Sequence, residues 1–199
     1  MSENRSFPIW QRLIFSPFVL KASRARKIAY VALMVALAIV CNMYFEFKLG
    51  AVQYSFTTAV SMLIGLLIGG GAGFVACFIG DAIGFIANPF GAYTPWIGLA
   101  TGLTALISGA VFHLIKTNRN WHLYVKVAFI SLLSFAVCSL GINSTFLWLS
   151  YYSSMSYGEW LAFRYIASGQ IIVSAVNYAL LFILVPVLKK VAFFKDLEL

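Results

Sequence analysis

The chain has 199 residues, of which 62% are hydrophobic and 10% charged. A soluble domain of that size could not bury so much apolar side chain, which excludes an ordinary water-soluble protein and makes the bilayer the solvent. The net charge of +8 points to anionic lipid rather than nucleic acid, because the basic residues flank apolar segments instead of forming a continuous stripe.

Residues 1–27 lack the uninterrupted apolar stretch and small-residue cleavage site of a signal peptide. Trp10, Leu13, Ile14, Phe15 and Phe18 interleave with Arg12, Lys21, Arg24, Arg26 and Lys27. Two readings stand: a short segment lying in the membrane interface, or a disordered basic tail. The segment is set apart as a basic, amphipathic N-terminal unit, with a six-helix membrane domain over 28–190 and a cytoplasmic tail over 191–199.

Six apolar stretches then follow, each expected to be a membrane helix of about 20 residues, or fewer where neighbours shield it. The first runs from Ile28 to Phe45 and the second from Phe56 to Ile68, with Gly69, Gly70 and Gly71 turning the chain. The third covers Ala72 to Ala87 and ends at a loop whose Pro89, Gly91 and Pro95 forbid helix continuation. The fourth spans Trp96 to Ile115, the loop of residues 116–120 follows, and the fifth runs from Tyr124 to Leu149. The outer loop from Tyr151 to Glu159 leads to the sixth, Leu161 to Val187. Of the 14 basic residues, only Lys48 and Arg164 fall on the face opposite the others. Basic residues in short loops stay inside, so both termini are expected in the cytoplasm. The fold class is therefore an all-α membrane bundle of six helices.

Small residues recur at helical spacing. Ala25, Ala29, Ala32 and Ala36 form a stripe on one face of the first helix, suited to close approach of another helix, either from a partner or from the same chain. Glycines at the same spacing in helices two to four (Gly65 and Gly69, Gly69 and Gly73, Gly80 and Gly84, Gly98 and Gly102) are expected to serve internal packing.

Polar and aromatic residues gather at the outer helix ends. Gln53, Tyr54, Asn88, Tyr93, Trp96, Asn143, Trp148 and Arg164 are the candidate ligand contacts. Interfacial anchoring accounts for part of the aromatic enrichment, but an amide or guanidinium that close to hydrocarbon requires a partner. Stacking rings with a few aimed polar groups suit a flat heteroaromatic ligand. Asp81 is an acidic residue inside a span, where an ionised carboxylate costs roughly 2.5 to 3.5 kcal/mol on insertion scales. It is read either as a ligand contact at the pocket floor or as a helix-packing hydrogen bond.

Other chemistries lack their residues. Cys41, Cys77 and Cys138 are odd in number and scattered through apolar stretches, and His113 and His122 have no second ligand at metal spacing, so neither a disulfide framework nor a metal site is expected. No cofactor is implied. The sequence contains no phosphate-binding G-x-x-x-x-G-K-[ST], no G-x-S-x-G and no H-E-x-x-H, which argues against an enzyme or a self-powered ATPase. Inverted repeats with broken helices, a mark of many secondary carriers, are not evident.

The stretch from Gly80-Asp81-Ala82-Ile83-Gly84 through Asn88-Pro89-Phe90-Gly91-Ala92-Tyr93-Thr94-Pro95, with Tyr54-Ser55-Phe56, Asn143, Trp148-Leu149-Ser150 and Arg164, resembles the substrate-capturing S component of energy-coupling factor (ECF) vitamin transporters, folate-type branch. The resemblance extends from about Arg12 to Lys190. It implies a bacterial plasma-membrane protein that binds a vitamin from outside, folate or another small aromatic micronutrient. Such a protein would topple when it docks through Ala32 and Ala36 on a transmembrane coupling subunit driven by two ATPase subunits. Folate-type members carry a basic residue before the Ser-Phe that opens the second helix; Gln53 and Tyr54 stand there instead, which weakens recognition of a dicarboxylate. The alternatives are a stand-alone ion-coupled carrier that uses Asp81 and a non-transporting assembly or signalling subunit.

Overall fold

In the computed structural model, residues 7–49, 52–89, 93–115 and 120–190 are described. The loop over 116–119, the tail over 191–199 and the side chain of Gln53 lie outside the described residues.

Two short helices, α1 (Ile9–Ile14) and α2 (Pro17–Leu20), precede the first long one, α3 (Arg24–Tyr44). Ser16 and Ser23 cap α2 and α3 by accepting from Val19 and Arg26, so the polar punctuation between apolar residues sets the helix starts. Over α1 and α2 the N-terminal segment is ordered. Ile9 and Trp10 are exposed, whereas Ser16 and Val19 are fully buried. Ser16 ties the segment down: its amide donates to the Ile68 carbonyl at 2.9 Å and its hydroxyl to that of Leu67 at 2.7 Å. These are carbonyls at the end of α4 (Thr57–Ile68) that its own helix leaves unused.

A feature absent from the sequence reading follows α3. Strands β1 (Glu46–Leu49) and β2 (Val52–Ser55) form an antiparallel hairpin in which Phe47 pairs with Tyr54 and Glu46 with Ser55. The chain next forms α4, turns at Gly69 with φ 104°, and starts α5 (Gly70–Ala87) at once, so a single glycine rather than three makes the turn. Then come α6 (Pro95–Leu114) and α7 (Asn120–Ser134), which passes through a π-helical segment, Phe135–Ser144, into α8 (Thr145–Tyr151).

The expected sixth span needs correction. It is interrupted: α9 (Tyr157–Ala162) and a π-helical segment, Phe163–Ala167, end at Ser168-Gly169, and only α10 (Gln170–Lys190) is long enough to cross a bilayer. Gly169 adopts φ 72°, a left-handed conformation that ends a helix and that most other residues resist. Among the described residues five helical runs are long and apolar enough to span a membrane, namely 24–44, 70–87, 95–114, 121–151 and 170–190, and α4 is a shorter apolar helix. At 12 residues, α4 is roughly 18 Å long and depends on its neighbours for shielding.

Those neighbours come very close. A Cβ built on Gly65 would lie 2.0 Å from the Ala105 carbonyl oxygen, so α4 and α6 cross with their backbones in contact, as small residues permit in lipid. Gly80 abuts Ala38 and Gly84 abuts Asn42 in the same manner, joining α5 to α3. The glycine pattern thus serves packing inside the chain. The alanine stripe does not: Ala25, Ala29, Ala32 and Ala36 all lie on the exposed face of α3, while Ala38 is buried.

Candidate functional site

A cavity of about 540 Å³ opens at the end of the bundle that carries the hairpin. Its volume falls within the usual range for small-molecule sites. Helices α3 to α6, both π-helical segments and α10 contribute to its wall. Asp81, Asn143 and Arg164 of the sequence candidates line it.

One wall is a polar relay. The Asn42 amide nitrogen donates to Asp81 Oδ1 at 3.4 Å and to the Gly80 carbonyl at 3.4 Å. Asn42 Oδ1 in turn accepts from the Thr57 hydroxyl at 3.3 Å, and that hydroxyl lies 3.5 Å from Glu46 Oε1. Asp81 therefore makes a helix-packing hydrogen bond to an amide of α3 and also lines the cavity. Asn177 of α10 holds the opposite wall together: its oxygen accepts from Ala59 N at 3.0 Å, and its nitrogen donates to the Ser55 and Val173 carbonyls, each at 2.9 Å.

The π-helical segments supply the second half of the site. Ser139 and Asn143, four apart in the first of them, both line the cavity. Arg164 sits between aromatic rings, its guanidinium carbon 5.8 Å from the centroids of both Trp160 and Tyr165. Trp160 is fixed by a 2.9 Å bond from its indole N–H to the Ser144 carbonyl and by Tyr152 stacked 4.1 Å away at 18°. Among the described residues Arg164 Nε and Asn143 Oδ1, both buried here, find no hydrogen-bond partner. Buried donors and acceptors are nearly always satisfied, so both suit a polar ligand.

The other candidates lie around the mouth or beyond it. The Tyr54 hydroxyl donates to the Ser168 carbonyl at 2.6 Å, linking β2 to the break before α10. Asn88 donates to the Met43 carbonyl at 3.3 Å, and Trp148 donates to that of Met155 at 2.9 Å. Tyr93 packs on Phe85 and Trp96 stacks on Phe146. Burial raises the Tyr93 phenol above its ordinary pKa, and the Asp81 carboxylate adds to the effect. None of these five lines the cavity. Sequence reasoning passed over Asn42, Thr57, Thr101, Ser139, Ser174 and Asn177, which do.

Among the described residues no group of His, Cys, Asp or Glu could hold a metal ion, and the three cysteines are buried and free.

No curated protein matches the chain by sequence. A solved structure similar in fold is the crystal structure of FolT bound with folic acid: TM-score 0.66, 18% identity, covering 80% of this chain and 92% of that one. At that identity the likeness concerns the fold. A family model described as "ECF-type riboflavin transporter, S component" matches residues 22–191, most of the sequence, and the chain belongs to this family of membrane transport proteins.

Proposed function

We propose that this chain captures a flat heteroaromatic vitamin in the cavity beneath the hairpin and delivers it to a coupling module that supplies the energy. The observation that carries this reading is the cavity itself, roomy enough for such a ligand and walled by Tyr152, Trp160 and Phe163 together with hydroxyls and amides. Rings can sandwich a heterocycle while fixed amides read its edge.

The lining favours a neutral, hydroxyl-bearing ligand of riboflavin chemistry. Among the described residues it carries two carboxylates, Glu46 and Asp81, against one cation, Arg164, a balance that opposes a dicarboxylate. Ser55, Thr57, Thr58, Thr101, Ser139 and Ser174 suit a polyol chain. Folate is the second reading, supported by Arg164 and by the fold shared with folate-bound FolT. Flavin fluorescence quenching and folate equilibrium dialysis on the purified chain decide between them. Riboflavin is expected to bind at submicromolar concentration and more tightly than folate. Failure of both to bind at micromolar concentration overturns the reading, and vesicles containing only this chain are expected to show no gradient-driven uptake.

The exposed stripe of α3 is the docking face of this reading. Small residues there let a helix of the coupling subunit approach closely, and the two ATPase subunits would drive transport through it. Ala32→Trp and Ala36→Trp are each expected to abolish uptake by the assembled transporter while vitamin affinity of the isolated chain stays unchanged. Lost affinity in either variant would refute the docking assignment.

A further inference from the structure

At the end of the bundle away from the cavity, four helices bring basic groups together. Arg12 of α1 donates to the His113 carbonyl at the last turn of α6. His113 Nε2 lies 2.8 Å from the Leu66 carbonyl of α4 and so carries a proton that it donates there. The His113 ring also feels the charges of Arg12 and of Lys126 on α7, and the Lys126 ammonium in turn faces the charge of Lys189 on α10.

Lys126 is the anomaly. It is 5% exposed, and its ammonium is buried without a hydrogen-bond partner among the described residues. Its neighbours in α7, Leu123 and Val127, belong to the same apolar cluster as Phe112 and Val185. Among the described residues the acidic side chains are Glu46 and Asp81 at the cavity and Glu159 in α9, all outside this cluster. An ammonium held in low dielectric with three unused donors and cationic neighbours is costly unless an anion joins it. The positive-inside pattern places this end at the anionic leaflet, where basic pockets between helices take lipid headgroups.

We propose that Lys126, with Arg12 and Lys189 around it, binds the phosphate group of an anionic lipid of the inner leaflet. The phosphate supplies the acceptors that the ammonium lacks and offsets repulsion among the basic groups. The site lies apart from the vitamin cavity and does not depend on what that cavity binds.

The full chain in nanodiscs tests this by thermal melting and by titration of phosphatidylglycerol into phosphatidylcholine discs. Phosphatidylglycerol is expected to raise the melting temperature of the native chain. Lys126→Met reverses the order of stabilities: it melts above the native chain in pure phosphatidylcholine, where an unpaired buried charge has been removed, and loses about tenfold in affinity for phosphatidylglycerol. Lys126→Gln, which keeps polarity and removes charge, loses the same response, and the exposed Lys190→Met retains it. An unchanged response to phosphatidylglycerol in Lys126→Met and Lys126→Gln overturns the proposal. Inorganic phosphate matching the effect of phosphatidylglycerol in phosphatidylcholine discs overturns the lipid as the source of the anion.

Discussion

Arg164→Met is expected to weaken vitamin binding by about 10- to 150-fold, the equivalent of one charge-assisted hydrogen bond of about 1.5 to 3 kcal/mol. The guanidinium is set between Trp160 and Tyr165, and its Nε has no hydrogen-bond partner among the described residues, so a polar ligand is the group placed to satisfy it. Methionine preserves much of the stem's volume and removes the charge. Without ligand the variant is expected to melt close to the native chain, because the buried Nε has no hydrogen bond to lose and the methionine stem keeps the contact with the rings. Affinity and stability are therefore expected to move apart, as read by titration and by melting of the same preparation. Arg164→Lys should rescue poorly, since an ammonium lacks the planar fork and its stacking on rings. If the methionine variant binds at full affinity, Arg164 is a structural cation and the ligand sits elsewhere in the cavity.

The largest stability effect is expected at Gly65. In Gly65→Ala the new methyl would meet the Ala105 carbonyl oxygen at 2.0 Å and the Ala105 carbonyl carbon at 2.7 Å. Both are backbone atoms, so no rotamer change relieves the clash, and α4 must withdraw from α6 along their crossing. Overpacking of this kind typically costs about 1 to 3 kcal/mol, and this site belongs at or above the upper end because the obstacle is rigid. The melting temperature in detergent should fall clearly. Gly158→Ala is the control: nothing lies within 4 Å of its added methyl, and alanine is the better helix former in α9. Equal behaviour of the two variants would mean that the α4–α6 contact is looser than the backbone geometry requires.

Much of this architecture was legible because lipid imposes simple rules. Length and apolarity located α3, α5, α6 and α10, and the Pro89 to Pro95 loop ended α5 where steric exclusion requires it. The hairpin was not legible, since each strand has four residues and alternation that short resembles any polar loop. Nor was the break at Gly169, because one glycine within an apolar stretch is tolerated as often as it interrupts. π-helical turns carry no compositional signature, so the inward phase of Ser139 could not be read.

The candidate site was legible in part for a related reason. Arg164, Asn143 and Asp81 stood out because charge or amide in an apolar segment is expensive. The hydroxyls did not, since Thr101 and Ser174 satisfy themselves on the carbonyls of Ile97 and Gln170 four residues back, a habit shared by serines and threonines without any function. The outer aromatics were overextended for want of helix phase. Trp96 and Trp148 occupy the expected level of the bundle, yet one stacks on Phe146 and the other bonds the Met155 carbonyl. Depth along a helix follows from residue count, whereas facing depends on turns that the sequence does not mark.

Asn177 deserves caution in any mutational survey of the pocket. Both of its amide hydrogens and one oxygen lone pair are already engaged, by the Ser55 and Val173 carbonyls and the Ala59 amide, so it has almost no capacity left for a guest molecule. Truncating it would unfasten the floor from the hairpin and mimic a recognition defect, although the lost contacts would all be the protein's own.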